Sequence, residues 1–234
     1  MTWSLLARDP ATGEIGAAVA SRFFAVGALC PRVEGGVGAA ATQALVNPML
    51  APAMLAALRG GSAPTDALAA AVSPDPGAAV RQAHVLCAST GGSACHTGAE
   101  CVGWAGHLHG PDCSLAGNML VGPDVLAATR DAFLATAGQP LADRLLAAME
   151  AGEAAGGDKR GRQSAALLVA SHDPYPDLDL RADDHPDPLA ELRRLLAVAR
   201  ERFVHYRRFL AGRDHPGVFD RAVIEAAIAR ATSP

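Results

Sequence analysis

What most constrains the fold of this chain is where its apolar pattern changes period. Two short apolar runs, Thr2–Arg8 and residues 14–22, flank the turn Asp9-Pro10-Ala11-Thr12-Gly13, which is how a hairpin reads. The apolar stretch 23–30 is closed by Pro31-Arg32, and a glycine-led small-residue run, 35–43, predicts a strand packed tightly under a helix layer. It lacks the Lys-Ser/Thr ending of a phosphate loop. Helical spacing then takes over. Asn47-Pro48 supplies an N-cap and a first-turn proline, Leu50, Met54, Leu55 and Leu58 recur every three or four residues, and Gly60-Gly61 stops the helix. A second helix is predicted over Pro64–Val72. Short strands return over 82–88, Ser93–Thr97, 100–108 and 114–120. A helix pair from Pro123 and over 141–151 is joined at Gly138, followed by strands Ser164–Ala170 and 178–181. One long helix from Pro188 carries Leu189, Leu192, Leu196, Phe203, Tyr206 and Leu210 on its apolar side, and a last helix spans 218–231. The order strands, helices, strands, helices, without regular βα alternation, predicts an α+β layered domain.

Half of the 234 residues are hydrophobic yet only 4% are aromatic, so the layers pack through small side chains. The net charge of −4 gives no electrostatic footprint for nucleic acid or an anionic membrane surface. Arg193, Arg194, Arg200, Arg202, Arg207 and Arg208 alternate with Glu191 and Glu201, which predicts a solvated face or a subunit contact, and the apolar side of the helix from Pro188 is the expected contact of a homodimer. No apolar run approaches the ~20 residues of a membrane span, and no basic segment precedes a hydrophobic stretch at the N-terminus. The expected location is the cytoplasm, with the five cysteines reduced. Cys95, His96, Cys101, His107, His109 and Cys113 crowd together, but without the paired short spacing of structural zinc sites, so neither metal nor cofactor is expected.

Chemistry points to Thr2. Removal of Met1 would leave a hydroxyl and a free α-amine on adjacent carbons. An amine with a pKa near 8 can serve as the base that a weakly nucleophilic hydroxyl needs. The alternative is that Thr2 is the frayed start of an edge strand.

The element order and several motifs carry a resemblance. They are Ala20-Ser21-Arg22-Phe23-Phe24-Ala25-Val26-Gly27-Ala28, Ala41-Thr42-Gln43-Ala44 with Asn47-Pro48, Gly106-His107 and Gly117-Asn118-Met119-Leu120. Gly156-Gly157-Asp158-Lys159-Arg160-Gly161-Arg162-Gln163-Ser164-Ala165 and Asp183-Asp184-His185-Pro186-Asp187-Pro188 complete them. On these, residues 2–196 resemble an uncharacterised bacterial and archaeal family, domain of unknown function family 1028, within the N-terminal nucleophile (Ntn) hydrolase superfamily. The resemblance implies a four-layer αββα sandwich, two antiparallel sheets between helix layers, over residues 1–212, with 213–234 a helical extension. It implies hydrolysis of a small amide or acyl-amino compound, with Thr2 as nucleophile and base and Asn118 as side-chain donor to the oxyanion. Gln43, Asp158, Arg160, Arg162 and Gln163 would bind substrate, the arginines by a bidentate fork. Ser21, Arg22, Asp183 and His185 would orient these groups. Proteasome-type chains place an Asp before the Ser-Arg pair and a Lys on the next strand. Here Ala20 stands at the first place, and Lys159 is the only lysine. A small substrate is therefore expected rather than a peptide. The alternative function is a non-catalytic binding or assembly protein of the same fold.

Overall fold

The computed structural model describes residues 2–110 and 112–232. Met1, on whose removal the expected chemistry turns, lies outside them. The chain divides into two compact units, Met1–Leu192 and Arg193–Pro234.

The first unit holds two antiparallel sheets. The opening hairpin pairs β1 (Thr2–Arg8) with β2 (Ile15–Ser21) from Arg8↔Ile15 out to Thr2↔Ser21. Asp9 shapes its turn by accepting the Ala11 N–H at 2.9 Å, and Gly13 takes φ +77°. After α1 (Val26–Leu29), β3 (Pro31–Glu34) and β4 (Gly38–Ala44) open the second sheet. Two helices follow, α2 (Leu50–Arg59) and α3 (Pro64–Val72), then β5 (Arg81–Cys87) and β6 (Ser93–Thr97), which complete the order β3-β4-β5-β6. Next come β7 (Trp104–Gly110), β8 (Cys113–Leu120), α4 (Asp124–Ala135), α5 (Leu141–Ala154), β9 (Ser164–Ala170) and β10 (Leu178–Ala182). The first sheet runs β10-β9-β2-β1-β8-β7, so β1 is central, with β8 on its other side and Thr2 opposite Asn118. That placement buries nearly all of both hairpin strands.

The two sheets face each other through Leu6, Ala17 and Val19 on one side and Val33, Ala39, Ala41 and Leu86 on the other. The far face of the second sheet, Ala40, Ala83 and Val85, packs on Leu50, Met54 and Leu55 of α2 and on Leu68 and Val72 of α3. On the far face of the first sheet, α5 lies close. A Cβ on Gly16 would stand 2.7 Å from Leu145 Cδ1. Small residues in β2 are thus a packing requirement. No helix among the described residues is long and apolar enough to cross a membrane.

Several expected boundaries are corrected. Pro31-Arg32 does not close a segment but starts β3, because a proline is tolerated as the first residue of an edge strand. The strand expected from residue 100 begins at Trp104, after Gly103 at φ +69°. α2 starts at Leu50, with Met49 as the flanking residue and no side-chain bond from it, while Asn47 Oδ1 accepts the Met49 N–H in the preceding turn and its Nδ2 donates to Asp75. The single long helix is interrupted: α6 (Pro188–Glu201) stops where Arg202 adopts φ −148°. A short α7 (Phe203–Tyr206) and a 3-10 turn over Arg207–Phe209 follow. The last helix, α8 (Arg221–Thr232), starts after Asp220, whose Oδ1 accepts the Ala222 N–H at 2.9 Å. Within the second unit, Arg202 pairs with Glu225 of α8 at 2.6 Å.

Candidate active site at the start of the central strand

Thr2 and Ser4 are two apart on β1, so both side chains project from the face turned to the second sheet. Thr2 is 7% exposed, and its Oγ1 lies 3.0 Å from Ser21 Oγ across the hairpin. It forms part of the wall of a cavity of about 50 Å³ that also meets Phe23, Val26, Cys30, Thr42, Gln43 and Val46.

A buried chain of hydrogen bonds fixes the strand end. Ser4 Oγ donates to Gln43 Oε1 at 2.7 Å, so its oxygen accepts from His84 Nε2 at 2.8 Å. His84 is therefore the Nε2–H tautomer, and its Nδ1 accepts from Ser114 Oγ at 2.9 Å. The Ser114 oxygen in turn takes the Cys95 thiol at 3.2 Å. Burial, with a smaller contribution from His107, pushes the His84 imidazole down to about 3, which keeps it neutral in this role. Gln43 Nε2 donates to Gln82 Oε1 at 2.7 Å and to the Thr2 carbonyl at 3.3 Å. Asn118 Nδ2 makes the same two donations at 3.2 and 3.4 Å. Gln82 Nε2 is spent on the Gly106 and Gly117 carbonyls at 2.9 Å. Two amides thus hold the Thr2 carbonyl, and the Asn118 amide divides its donations between that carbonyl and Gln82.

Asp158 ties the two strands that flank β1. Its backbone bridges Leu120, at the end of β8, and its Oδ2 accepts the Arg22 N–H, just past β2, at 2.8 Å. The carboxylate is 2% exposed and is met by the Arg160 guanidinium at 3.2 Å. The other expected residues stand further off. The Arg162 fork is taken by Glu153 at 2.7 Å and Asp187 at 2.9 Å. Gln163 Nε2 donates to Asp184, and the Asp183 carboxylate pairs with Arg181 at 2.8 Å. Asp183 still serves the region through its carbonyl, which accepts the Ala25 N–H at 2.9 Å. His185 Nδ1 accepts the Asp187 N–H at 3.0 Å, so its bond lies in the turn before α6. Thr2, Ser21, Gln43 and Asn118 therefore converge, Arg22, Asp158 and Arg160 brace them, and the side chains of Arg162, Gln163, Asp183 and His185 are engaged elsewhere, by Glu153 and Asp187, Asp184, Arg181 and the turn before α6.

Sequence reasoning missed Ser4, Gln82 and His84. Their signal is polar residues at i, i+2 spacing, Thr2/Ser4 and Gln82/His84, on strands that are otherwise apolar. The described cysteines are all free, and among the described residues no three of His, Cys, Asp and Glu converge as a metal would need.

Backbone strain gathers in the same place. Four described non-glycine residues have positive φ, and three adjoin the site: Ala25 at 51°, Ala44 at 71° and Met119 at 54°. Each costs on the order of 1–2 kcal/mol, and such residues concentrate where function fixes the backbone.

Residues 2–192 match the model of a family described as a family of unknown function, DUF1028. Among solved structures, the chain is similar to the crystal structure of protein SPO2555 from Silicibacter pomeroyi, described with the same family. The two share 34% identity over 94% of this chain and 96% of that chain, with a TM-score of 0.86. No curated protein matches the chain.

Proposed function

The chain belongs to the DUF1028 family, and on that premise we propose that it is an amide-bond hydrolase of the Ntn type acting on a small amide or acyl-amino compound. In this reading the two facing sheets and the helices on their outer faces are the four-layer αββα sandwich of that superfamily. The observation that carries the proposal is the seat of Thr2. It begins the central strand, beside a cavity, with its hydroxyl 3.0 Å from Ser21 and its carbonyl held by Gln43 and Asn118. So much buried polar machinery around one strand end is costly unless the strand end has work to do.

Loss of Met1 frees the Thr2 α-amine. The Thr2 hydroxyl attacks the substrate carbonyl while the amine, directly or through a water, takes the hydroxyl proton. As the C–N bond breaks, that proton passes to the leaving amine, and an acyl ester remains on Thr2. Water then attacks the ester, the amine again taking and returning the proton, and the acid leaves. Gln43 and Asn118 act here as positioning residues that fix the turn of the strand about the nucleophile. Ser21 holds the hydroxyl rotamer.

The intact mass of the protein from its own source tests the first requirement, since a retained Met1 removes the base. Thr2→Ala is expected to abolish both turnover of a panel of small amides and labelling by a threonine-reactive electrophile. Undiminished turnover in that variant would move the chemistry away from Thr2.

A further inference from the structure

We propose that the cavity beside Thr2 is an acyl pocket for a short, uncharged, apolar acyl group. The inference rests on the reading of Thr2 as nucleophile and specifies which part of the substrate lies where.

The walls argue for the chemistry. Phe23, Val26, Leu29, Cys30 and Val46 are apolar, and no charged residue lines the cavity among those described. The Cys30 thiol, raised by burial to about 12, stays neutral. A carboxylate or ammonium placed there would be desolvated without a partner, which costs several kcal/mol. The polar contribution comes from the Thr2, Thr42 and Gln43 side, where the scissile carbonyl would sit.

The cavity holds about 50 Å³, and two of its sides are pinned. α1, which supplies Val26 and Leu29, lies flush on β9: a Cβ built on Gly27 would stand 2.4 Å from Ala166 Cβ. The Ser164 hydroxyl adds a clamp, accepting the Val26 N–H at 3.1 Å. Ala25 and Ala44, both in the left-handed region, set where α1 begins and where β4 ends. Further apolar surface lies outside: Phe24 and Leu45 are 62% and 63% exposed, and the Phe23 wall, 48% exposed, reaches the rim. A longer chain would have to leave the cavity and lie on that rim.

The experiment uses Met1-free full-length protein and a series of p-nitroanilides: acetyl, butyryl, isobutyryl, octanoyl and succinyl. Butyryl or isobutyryl turnover is expected to exceed octanoyl and succinyl by at least about tenfold, a difference of about 1.4 kcal/mol. Val26→Ala, or Leu29→Ala if the first variant fails to fold, is expected to raise octanoyl turnover relative to butyryl. Binding is read separately by ligand-observed NMR on Thr2→Ala protein, with butyramide expected to bind and octanamide not. A Thr2-dependent turnover with no length preference would overturn the pocket and leave the nucleophile standing. No turnover by the wild-type protein, with butyramide binding that Val26→Ala weakens, would support the pocket and remove the nucleophile. Absence of both length preference and butyramide binding would overturn the pocket outright.

Discussion

His84 makes the fold acid-sensitive, and the size of the effect follows from its burial. The imidazole sits between the sheets with both ring nitrogens bonded, and its pKa is pushed from 6.5 down to about 3. The unfolded chain therefore takes up the proton first. Stability from this residue is complete above about pH 6.5, falls as pH drops below that value, and stops falling near pH 3. At 1.36 kcal/mol per unit, the whole window amounts to about 5 kcal/mol, comparable with the stability of an entire domain. Between about pH 6.5 and 5 the loss is about 2 kcal/mol. Burial also lowers His107, with His109 and His96 adding to it, so that residue gives a loss of the same sign. Comparison with His84→Gln cancels the shared loss. Urea midpoints at about pH 7 and 5 should show the wild-type protein losing about 2 kcal/mol more than the variant. NMR of the imidazole nitrogens should show an Nε2–H tautomer that does not titrate above about pH 5. Equal pH slopes in the two proteins, or a His84 resonance moving with a midpoint near the ordinary histidine value, would refute the reasoning.

Three further outcomes are expected. Arg144, with an 8% exposed side chain, faces Asp9 at 3.4 Å and lies 4.1 Å from the Phe133 ring centre. Asp9→Ala should cost roughly 3–5 kcal/mol in urea unfolding by leaving that charge unpaired, and a loss under about 1 kcal/mol would contradict this. Ala44→Gly relieves a φ of 71° and should raise stability by up to about 1 kcal/mol, the unfolded-state entropy of glycine offsetting part of the gain. A fall in the thermal midpoint would show that Ala44 is not strained. Gly27→Ala forces a Cβ against Ala166 and should cost about 1–3 kcal/mol, measured as a lower urea midpoint at unchanged m-value.

Local pattern carried the fold a long way, because most elements declare themselves within ten residues. Proline before the Ala-Leu spacing marked α3 at its observed limits, and the unbroken apolar run marked β9. The helix from Pro188 was read too long because Phe203, Tyr206 and Leu210 keep a helical period after the backbone has turned at Arg202. Periodicity reports which face is apolar, whereas the φ of one residue decides whether the turn continues. Thr2 and Asn118 were legible through motif and position. His84 was not, since its partner Ser4 lies 80 residues away and the i, i+2 pair Gln82/His84 marks only a shared strand face, not what that face meets. Asp158 was legible as charge, but its tie to the Arg22 N–H, 136 residues away, depends on three strands meeting.

The central position of β1 also orders events as the chain folds. Its pairing with β2 closes at Arg8↔Ile15, a loop of a few residues, whereas its pairing with β8 brings together Thr2 and Asn118, 116 residues apart. By loop-closure entropy the second pairing costs about 2.5 kcal/mol more than the first. The hairpin can therefore form early, with one edge of β1 open to any strand that reaches it, while β8 docks late. Refolding should be slow and sensitive to protein concentration, and of the two amides that hold the Thr2 carbonyl, that of Asn118 arrives only with β8. A chain built this way cannot complete the clamp on the Thr2 carbonyl until its long-range strand pairings have formed.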